Sequence, residues 1–142
     1  MSYTILLPVD GSEGSLLATR HVARIAGMVQ GLKVHLVNVQ PLGDDWMVRR
    51  MLKPEELTKL EQEWGEAAVA PARAILRDAG VTCTDHIVQG EVAKTIAHLA
   101  KELGCDQIVM GTWGRSALGG LLLGSVAVKV LHLASVPVTL VK

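Results

Sequence analysis

The sequence GTWGRSALGGLLLGSV, residues 111–126, lies between an apolar strand-like run, DQIVM, and an apolar helix-like run. Glycine in such a place has a positive φ or lies close to another group. The N–H groups of a glycine-rich loop can converge on an anion, and the N-terminus of a following helix adds its own N–H groups. The stretch therefore predicts a strand, a phosphate-binding loop and a helix.

Known phosphate-binding motifs do not match this loop. Residues 119–125 read GGLLLGS, which has the G-x4-G spacing of a Walker A loop but lacks its lysine. A G-x-G-x-x-G fingerprint does not follow the first predicted strand, and PVDGSEGS differs from the Ser-Gly-Gly-x-Asp-Ser loop of PP-loop pyrophosphatases. A tight turn with close helix–sheet packing remains an alternative explanation of the glycines.

Length and composition predict one domain that spans residues 1–142, with 49% hydrophobic residues and a mean hydropathy of +0.33. Fourteen basic and fourteen acidic residues give no net charge, so we expect neither nucleic acid nor an anionic membrane as a partner. The apolar run at 116–128 is too short to cross a bilayer, and the first residues do not resemble a signal peptide. Cys83 and Cys105 have no motif spacing, and we expect a cytoplasmic protein.

Short apolar runs alternate with helical periodicity along the whole chain. The strands are predicted at residues 3–9, 32–39, 81–88, 106–111 and 136–141, and the helices at 13–29, 55–79, 91–103 and 118–133. Ser12 is the expected N-cap of the first helix, Pro71 is expected to kink or restart the second, and Gly104 closes the third. The alternation predicts an α/β fold with a parallel sheet of order 3-2-1-4-5, helices on both faces and the third strand at an edge.

Two loops should meet in this fold. Ligands of open parallel sheets bind at the carboxyl ends of the strands where the strand order reverses. In the order 3-2-1-4-5, that point lies between the first and fourth strands, which are followed by PVDGS (8–12) and MGTWGRS (110–116). A third segment, residues 40–54, is predicted to be a long loop, either a lid or a plain connection.

The chain resembles a single-domain universal stress protein over essentially its whole length. The resemblance rests on PVDGS, on VHLVNV, on the pattern Gly111-x2-Gly114-x9-Gly124-Ser125 and on the final SVPVTLV. The pattern marks the nucleotide-binding branch of that family, which has a Rossmann-like fold and forms homodimers. The resemblance therefore implies binding of ATP, ADP or AMP, with Mg²⁺ accompanying the phosphates, and a homodimer that pairs through the C-terminal strand at 136–141.

The resemblance also implies the roles of single residues. Asp10 and the backbone of Val39 would hold the adenine, with Pro8 and Val9 lining its pocket. Met110 and Gly111 would lie at the ribose and the phosphate entry. The phosphates would be held by Gly114, Gly124, Ser125 and Val126, with Arg115 near enough to contribute charge. Trp113 departs from the family, in which this position is commonly polar or basic, and could stack, pack at the dimer contact or narrow the phosphate mouth.

Several of these residues also have simpler interpretations. Asp10 would serve equally well to cap the first helix with Ser12, and Arg115 would serve as a solvated charge. The five histidines lack metal-ligand spacing, and the two cysteines read as buried apolar side chains. Trp64 is expected in the core, whereas Trp46 is a candidate for an interface or lid.

The predicted function is that of an ATP-binding, homodimeric stress-response or signalling module with little or no ATPase activity, because no general base is evident near the crevice. Two alternatives remain open at this stage. The first is a dimer of the same fold that does not bind nucleotide. The second is a slow ATP hydrolase or phosphotransferase, which would need a base from residues 40–54.

Overall fold

The computed structural model describes residues 2–41, 50–113 and 123–142. Gly114, Arg115, Trp46, most of the predicted loop at 40–54 and the start of the predicted last helix lie outside these residues. Strands and helices alternate along the described chain in the order β1 (Tyr3–Pro8), α1 (Glu13–Ala26), β2 (Leu32–Pro41), α2 (Pro54–Asp78), β3 (Thr82–Gly90), α3 (Val92–Glu102), β4 (Gln107–Gly111), α4 (Ser125–Leu133) and β5 (Val138–Val141).

The five strands form one parallel sheet of order β3-β2-β1-β4-β5, as the sequence predicted. β1 and β4 are neighbours, with Ile5 opposite Gln107 and Leu6 opposite Ile108. β3 lies at one edge with only partial burial, which confirms the prediction from its alternating pattern. β5 lies at the other edge, as the predicted order requires, and is half-buried.

Each face of the sheet has its own core. Ile5, Leu7, Val34 and Leu36 point toward α1 and α2, whereas Leu6, Val37, Ile108 and Met110 point toward α3 and α4. This alternation follows from the period of two along a strand. The result is a three-layer α/β domain in which helices cover both faces.

Pro71 does not restart α2, which was one of the two outcomes predicted for it, and the predicted kink stays a prediction. The helix runs from Pro54 to Asp78 with Pro71 inside it. Pro71 and Ala67, whose carbonyl would accept the missing N–H bond, are both exposed. Solvent can therefore bind the carbonyl that the proline leaves without its helical donor, and the proline is tolerated.

Two other predictions are corrected. The last helix was expected from residue 118, but residues 123 and 124 are not helical, and α4 begins at Ser125 with Gly124 as its N-cap. Trp64 was expected in the core, but it lies on the outer side of α2 and is 52% exposed. The side of α2 that packs on the sheet is lined by smaller residues, among them Gly65, Ala68 and Ala72.

Among the described residues, none of the helices is long and apolar enough to cross a membrane.

Candidate functional site

A cavity of about 490 Å³ opens at the carboxyl end of the sheet, between the ends of β1 and β4. This volume lies within the range of about 300–1,000 Å³ that is usual for small-molecule sites. Its lining is mostly apolar and comes from the ends of β1, β2 and β4 and from the first turns of α1, α3 and α4. The crevice predicted at the reversal of strand order is therefore present.

Nine of the eleven residues predicted for the site line this cavity, and the other two, Gly114 and Arg115, lie outside the described residues. The nine are Pro8, Val9, Asp10, Val39, Met110, Gly111, Gly124, Ser125 and Val126.

An apolar slot forms one side of the cavity. Val37 and Val39 of β2 face the same side of the sheet as Met110 of β4, and Val92 and Ile96 of α3 close the slot. Both α3 residues were missed as site residues. They could have been found, because a helix that follows a parallel strand begins at the carboxyl edge of the sheet, and positions 92 and 96 lie on one helical face.

β2 extends past the end of β1, and this exposes its backbone to the cavity. The last β1–β2 pair is Pro8 with Val37, and the Val9 N–H donates to the Val37 carbonyl at 2.8 Å. In a strand, the N–H and C=O of alternate residues point to the same neighbour, so the backbone of Val39 points the same way as that of Val37. β1 has ended at that level, and Val39 therefore presents its backbone groups at the cavity edge.

A hydrogen-bonded loop joins β1 to α1. Asp10 Oδ1 accepts from the Ser12 N–H at 2.9 Å and from Ser15 Oγ at 2.6 Å, while the Asp10 N–H donates to Ser15 Oγ at 2.9 Å. Ser12 is the N-cap of α1, as predicted, and its Oγ accepts from the Ser15 N–H at 3.2 Å. Gly11 has a φ of 81°, a conformation that favours glycine. The predicted capping role of Asp10 is thus present in modified form, since it organises the loop while Ser12 is the cap.

The N-terminus of α4 is directed at the opposite side of the cavity, where Ser125, Val126 and Ala127 form its first turn. The first N–H groups of a helix lack intrahelical partners and carry a partial positive charge. Ser125 is exposed, so its hydroxyl is available to a ligand. This end of the cavity suits an anion.

Three glycines around the cavity allow backbones to approach closely. A Cβ atom at Gly14 would lie 2.1 Å from the Trp113 carbonyl oxygen, and one at Gly111 would lie 2.7 Å from the backbone of Gly14. Gly124 has an ordinary φ of −73°, and its N–H donates to the Thr112 carbonyl at 2.7 Å. The Gly124 N–H thus has a protein partner in this structure, and the predicted contact of Gly124 with phosphate stays a prediction. At these positions the close-packing explanation accounts for the glycines.

Trp113 lies beside Gly124, with its ring carbon Cε3 at 3.5 Å from the position that a Cβ atom would take there. The residue also lines the cavity. Trp113 therefore lies near the start of α4, and the three roles considered for this tryptophan stay predictions.

Comparison with known proteins points to one family. The model of the universal stress protein family matches residues 1–142. Universal stress protein MJ0531 of Methanocaldococcus jannaschii is 32% identical over 145 residues, which cover 97% of this chain and 81% of that protein. The universal stress protein in the QAH/OAS sulfhydrylase 3'region of Thermus aquaticus is 35% identical over 143 residues, with 100% of both chains covered.

Solved structures share the fold. The structure of MJ0577, from the same archaeon as MJ0531, matches with a TM-score of 0.86 and 30% identity over 100% of this chain and 96% of that one. A universal stress protein in complex with cAMP matches with a TM-score of 0.72 and 24% identity over 99% of this chain and 97% of that one.

Two further structures also contain nucleotides. The protein of Archaeoglobus fulgidus in complex with dAMP has a TM-score of 0.68 and 23% identity, over 100% of this chain and 98% of that one. A family protein of Arabidopsis thaliana with AMP bound has a TM-score of 0.70 and 18% identity, over 99% of this chain and 91% of that one. At these identities the likeness establishes the fold. The match of the family model over the entire sequence establishes the family, and this chain belongs to the universal stress protein family.

Proposed function

We propose that this chain is a single-domain, homodimeric ATP-binding module whose output is a nucleotide-dependent change in its contacts rather than a chemical step. The observation that carries the proposal is the cavity itself. It combines an apolar slot, an exposed strand backbone and a helix N-terminus in one space of about 490 Å³. The cAMP, dAMP and AMP complexes of family members support an adenine nucleotide as the ligand.

The two ends of the cavity suit the two ends of a nucleotide. The adenine ring would lie in the slot between Val39, Ile96 and Met110, with its polar edge on the backbone of Val39. The phosphates would lie on the first turn of α4, where the Val126 and Ala127 N–H groups and the Ser125 hydroxyl can donate. Between these ends, Pro8, Val9 and Gly111 would line the pocket, and Asp10 would contact the ligand as well as its own loop.

Gly114 and Arg115, which lie outside the described residues, are added to the proposed phosphate site from the sequence pattern alone. A divalent cation, Mg²⁺, would accompany the phosphates and keep most of its ligands as phosphate oxygens and water. The described residues contain no cluster of three or more His, Cys, Asp or Glu side chains that could hold a metal ion.

We expect little or no ATP hydrolysis. Among the described residues that line the cavity, Asp10 is the acidic one and therefore the candidate general base. Its Oδ1 already accepts two hydrogen bonds. Both bonds hold this oxygen within the loop, so it is poorly placed to take a proton from an attacking water. Steady-state phosphate release should therefore stay well below ~1 s⁻¹, the lower end of ordinary enzyme turnover.

Ser125 offers a test that separates binding from folding. Ser125→Asp places a carboxylate in the first turn of α4, where the helix dipole favours it, so the protein should remain folded and about as stable as the wild type. The same carboxylate should repel the phosphates and weaken ATP binding by at least about tenfold, measured by titration calorimetry.

Ser125→Asn is the matched control, because asparagine has about the size of aspartate but carries no charge. It should change ATP affinity by much less than Ser125→Asp. Equal affinity for ATP in the wild type and in Ser125→Asp would contradict a phosphate site at α4. Absence of ATP binding to nucleotide-free wild type would leave the non-nucleotide interaction dimer.

A further inference from the structure

Asn38 forms a buried hydrogen bond at the point where β1 and β2 separate. The residue is 4% exposed, and its Nδ2 donates to the Val9 carbonyl at 2.8 Å. Gln40 Nε2 in turn donates to Asn38 Oδ1 at 2.6 Å. Because the Val9 carbonyl only accepts, it fixes the orientation of the Asn38 amide, and that orientation fixes the Gln40 amide.

The Val9 carbonyl is the group that a longer β1 would offer to the Val39 N–H. The Val9 N–H bonds the Val37 carbonyl, so the next rung of a parallel ladder would join the Val39 N–H to the Val9 carbonyl. Within the described residues, no backbone hydrogen bond joins Val39 to Val9, and the Asn38 amide takes that acceptor. The Asn38 side chain thus replaces the backbone donor of its own neighbour.

The amide has little freedom to move. α2 crosses Asn38 closely at Gly65, where a Cβ atom would lie 3.3 Å from Asn38 Oδ1 and 2.3 Å from Ile87 Cγ2. Asn38 therefore packs under α2 on one face of the sheet, while the Val39 side chain points to the cavity on the other. Asn38 is among the residues that line the cavity, but its side-chain amide bonds the Val9 carbonyl and packs under α2, so it would act on a ligand through the backbone.

We propose that Asn38 is a positioning residue for base recognition: by satisfying the Val9 carbonyl, it leaves the Val39 N–H free to donate to the adenine ring. This inference rests on the proposed nucleotide site. A backbone N–H suits the unprotonated N1 of adenine, whereas guanine carries a proton on N1 and would set a donor against a donor. The network of Asn38 and Gln40 therefore favours adenine over guanine.

The test measures the dissociation constants of ATP, GTP and inorganic tripolyphosphate by titration calorimetry. Asn38→Asp keeps the shape of the side chain but replaces the donor to Val9 with an acceptor, which frees that carbonyl to capture the Val39 N–H. We expect ATP affinity to fall by about tenfold and the preference for ATP over GTP to shrink by a similar factor. Tripolyphosphate affinity should stay within about twofold, because the α4 end of the cavity is unchanged.

Gln40→Met is the second variant, for the case that Asn38→Asp does not fold. It removes the donor to Asn38 Oδ1, so the Asn38 amide is no longer held in one orientation, and it introduces no buried charge. The preference for ATP over GTP should therefore fall severalfold. Leu76→Ala is the control for stability, since Leu76 is fully buried in the α1–α2 core and does not line the cavity. It should lower the melting temperature and leave the nucleotide preference intact.

The outcomes separate this inference from the function on which it rests. A wild type that binds neither ATP nor tripolyphosphate refutes the proposed function itself. A wild type that binds ATP and GTP equally, or a folded Asn38→Asp or Gln40→Met variant with the full wild-type preference, refutes the role of Asn38 alone. A preference lost equally in Leu76→Ala would show that Asn38 acts only through stability, and would also refute it.

Discussion

At the scale of single residues, glycines fix how closely the loops around the cavity approach. Gly14 of α1 and Gly111 of β4 allow two backbones to touch, and Gly124 allows the start of α4 to bond the Thr112 carbonyl. The sequence identified the glycine-rich stretch, but it could not show that α1 contributes a glycine to the same contact. That pairing depends on the sheet order, which brings residues distant in sequence together.

The substitution Gly14→Ala tests this contact. In an ordinary helix position, glycine to alanine stabilises by roughly 0.5–1 kcal/mol. Here the added Cβ would lie 2.1 Å from the Trp113 carbonyl oxygen, so the backbones must separate, and we expect a loss of about 1–3 kcal/mol. Urea denaturation measures the free energy of unfolding. Gly27→Ala is the control, because a Cβ atom there would lie 3.5 Å from its nearest neighbour, the Arg24 carbonyl oxygen. A Gly27→Ala protein that is destabilised, beside a Gly14→Ala protein that is not, would contradict our explanation.

His35 makes the stability of the fold depend on pH. Its Nδ1 lies 2.9 Å from His86 Nε2 across β2 and β3, and burial, followed by the charges of His86 and Lys33, lowers the pKa of His35 below its usual 6.5. The unfolded chain then binds a proton more readily than the folded one. The free energy of unfolding should therefore fall as the pH drops below about 6.5 toward the lowered pKa.

Replacing His35 should reduce this dependence. Urea midpoints at pH 7.5 and 5.5 should differ more in the wild type than in His35→Gln, because only the wild type carries the partly buried His35 imidazole with its lowered pKa. Identical pH dependence in the two proteins would show that His35 does not contribute.

At the scale of helices and strands, the sequence predicted which elements form and in what order, but it predicted less well the residues at which they begin and end. β2 continues through Gln40 and Pro41, where a loop had been expected, because both residues pair with β3 opposite Gln89 and Gly90. α4 begins at Ser125 rather than at residue 118, where its apolar pattern begins, since the Gly124 N–H donates to the carbonyl of Thr112, directly after β4. In both cases a contact from a distant element decides the boundary, and local propensity contains no information about it.

Pro71 gives a prediction for α2. Pro71→Ala should restore a hydrogen bond to the Ala67 carbonyl and raise the free energy of unfolding by about 1–3 kcal/mol. Pro71→Gly restores the same N–H, but glycine is a poor helix former. The gain in the free energy of unfolding should therefore be about 1 kcal/mol smaller than for Pro71→Ala. Chemical denaturation of the three proteins decides the matter, and a Pro71→Ala variant less stable than the wild type would mean that the ring makes contacts that α2 needs.

At the scale of the whole molecule, the sheet order accounts for the candidate site. β1 and β4 lie side by side, and the nine described site residues meet at their ends. These nine were predicted from the resemblance to the universal stress protein family. That prediction did not name Val92 and Ile96, which line the cavity, or Asn38, which bonds the Val9 carbonyl. No motif marks Asn38, whereas Val92 and Ile96 could have been found, because a helix that follows a parallel strand begins at the carboxyl edge of the sheet.

The second edge of the sheet is where we expect the homodimer to form. β5 is half-buried, and Val128 and Leu131 of α4 are 39% and 44% exposed. The Ile108 N–H bonds the Pro137 carbonyl and the Thr112 N–H bonds the Val141 carbonyl, so by alternation the backbone of Leu140 points away from β4. Leu140→Pro should therefore remove a donor from the free edge and leave the β4–β5 ladder intact.

Sedimentation velocity measures the result. Leu140→Pro should shift the protein toward monomer, whereas Leu140→Ala, which shortens the side chain but keeps the N–H, should remain more dimeric. A wild-type monomer at micromolar concentration, or a Leu140→Pro protein as dimeric as Leu140→Ala, would contradict pairing through β5.

The most direct test of the account is a crystal structure of the nucleotide-free protein soaked with Mg-ATP. We predict adenine in the slot between Val39, Ile96 and Met110, with a ring nitrogen within hydrogen-bonding distance of the Val39 N–H. The phosphates should contact the first turn of α4 at Ser125, Val126 and Ala127. An empty cavity at saturating ATP, or a nucleotide bound with its phosphates away from α4, would contradict the central claim.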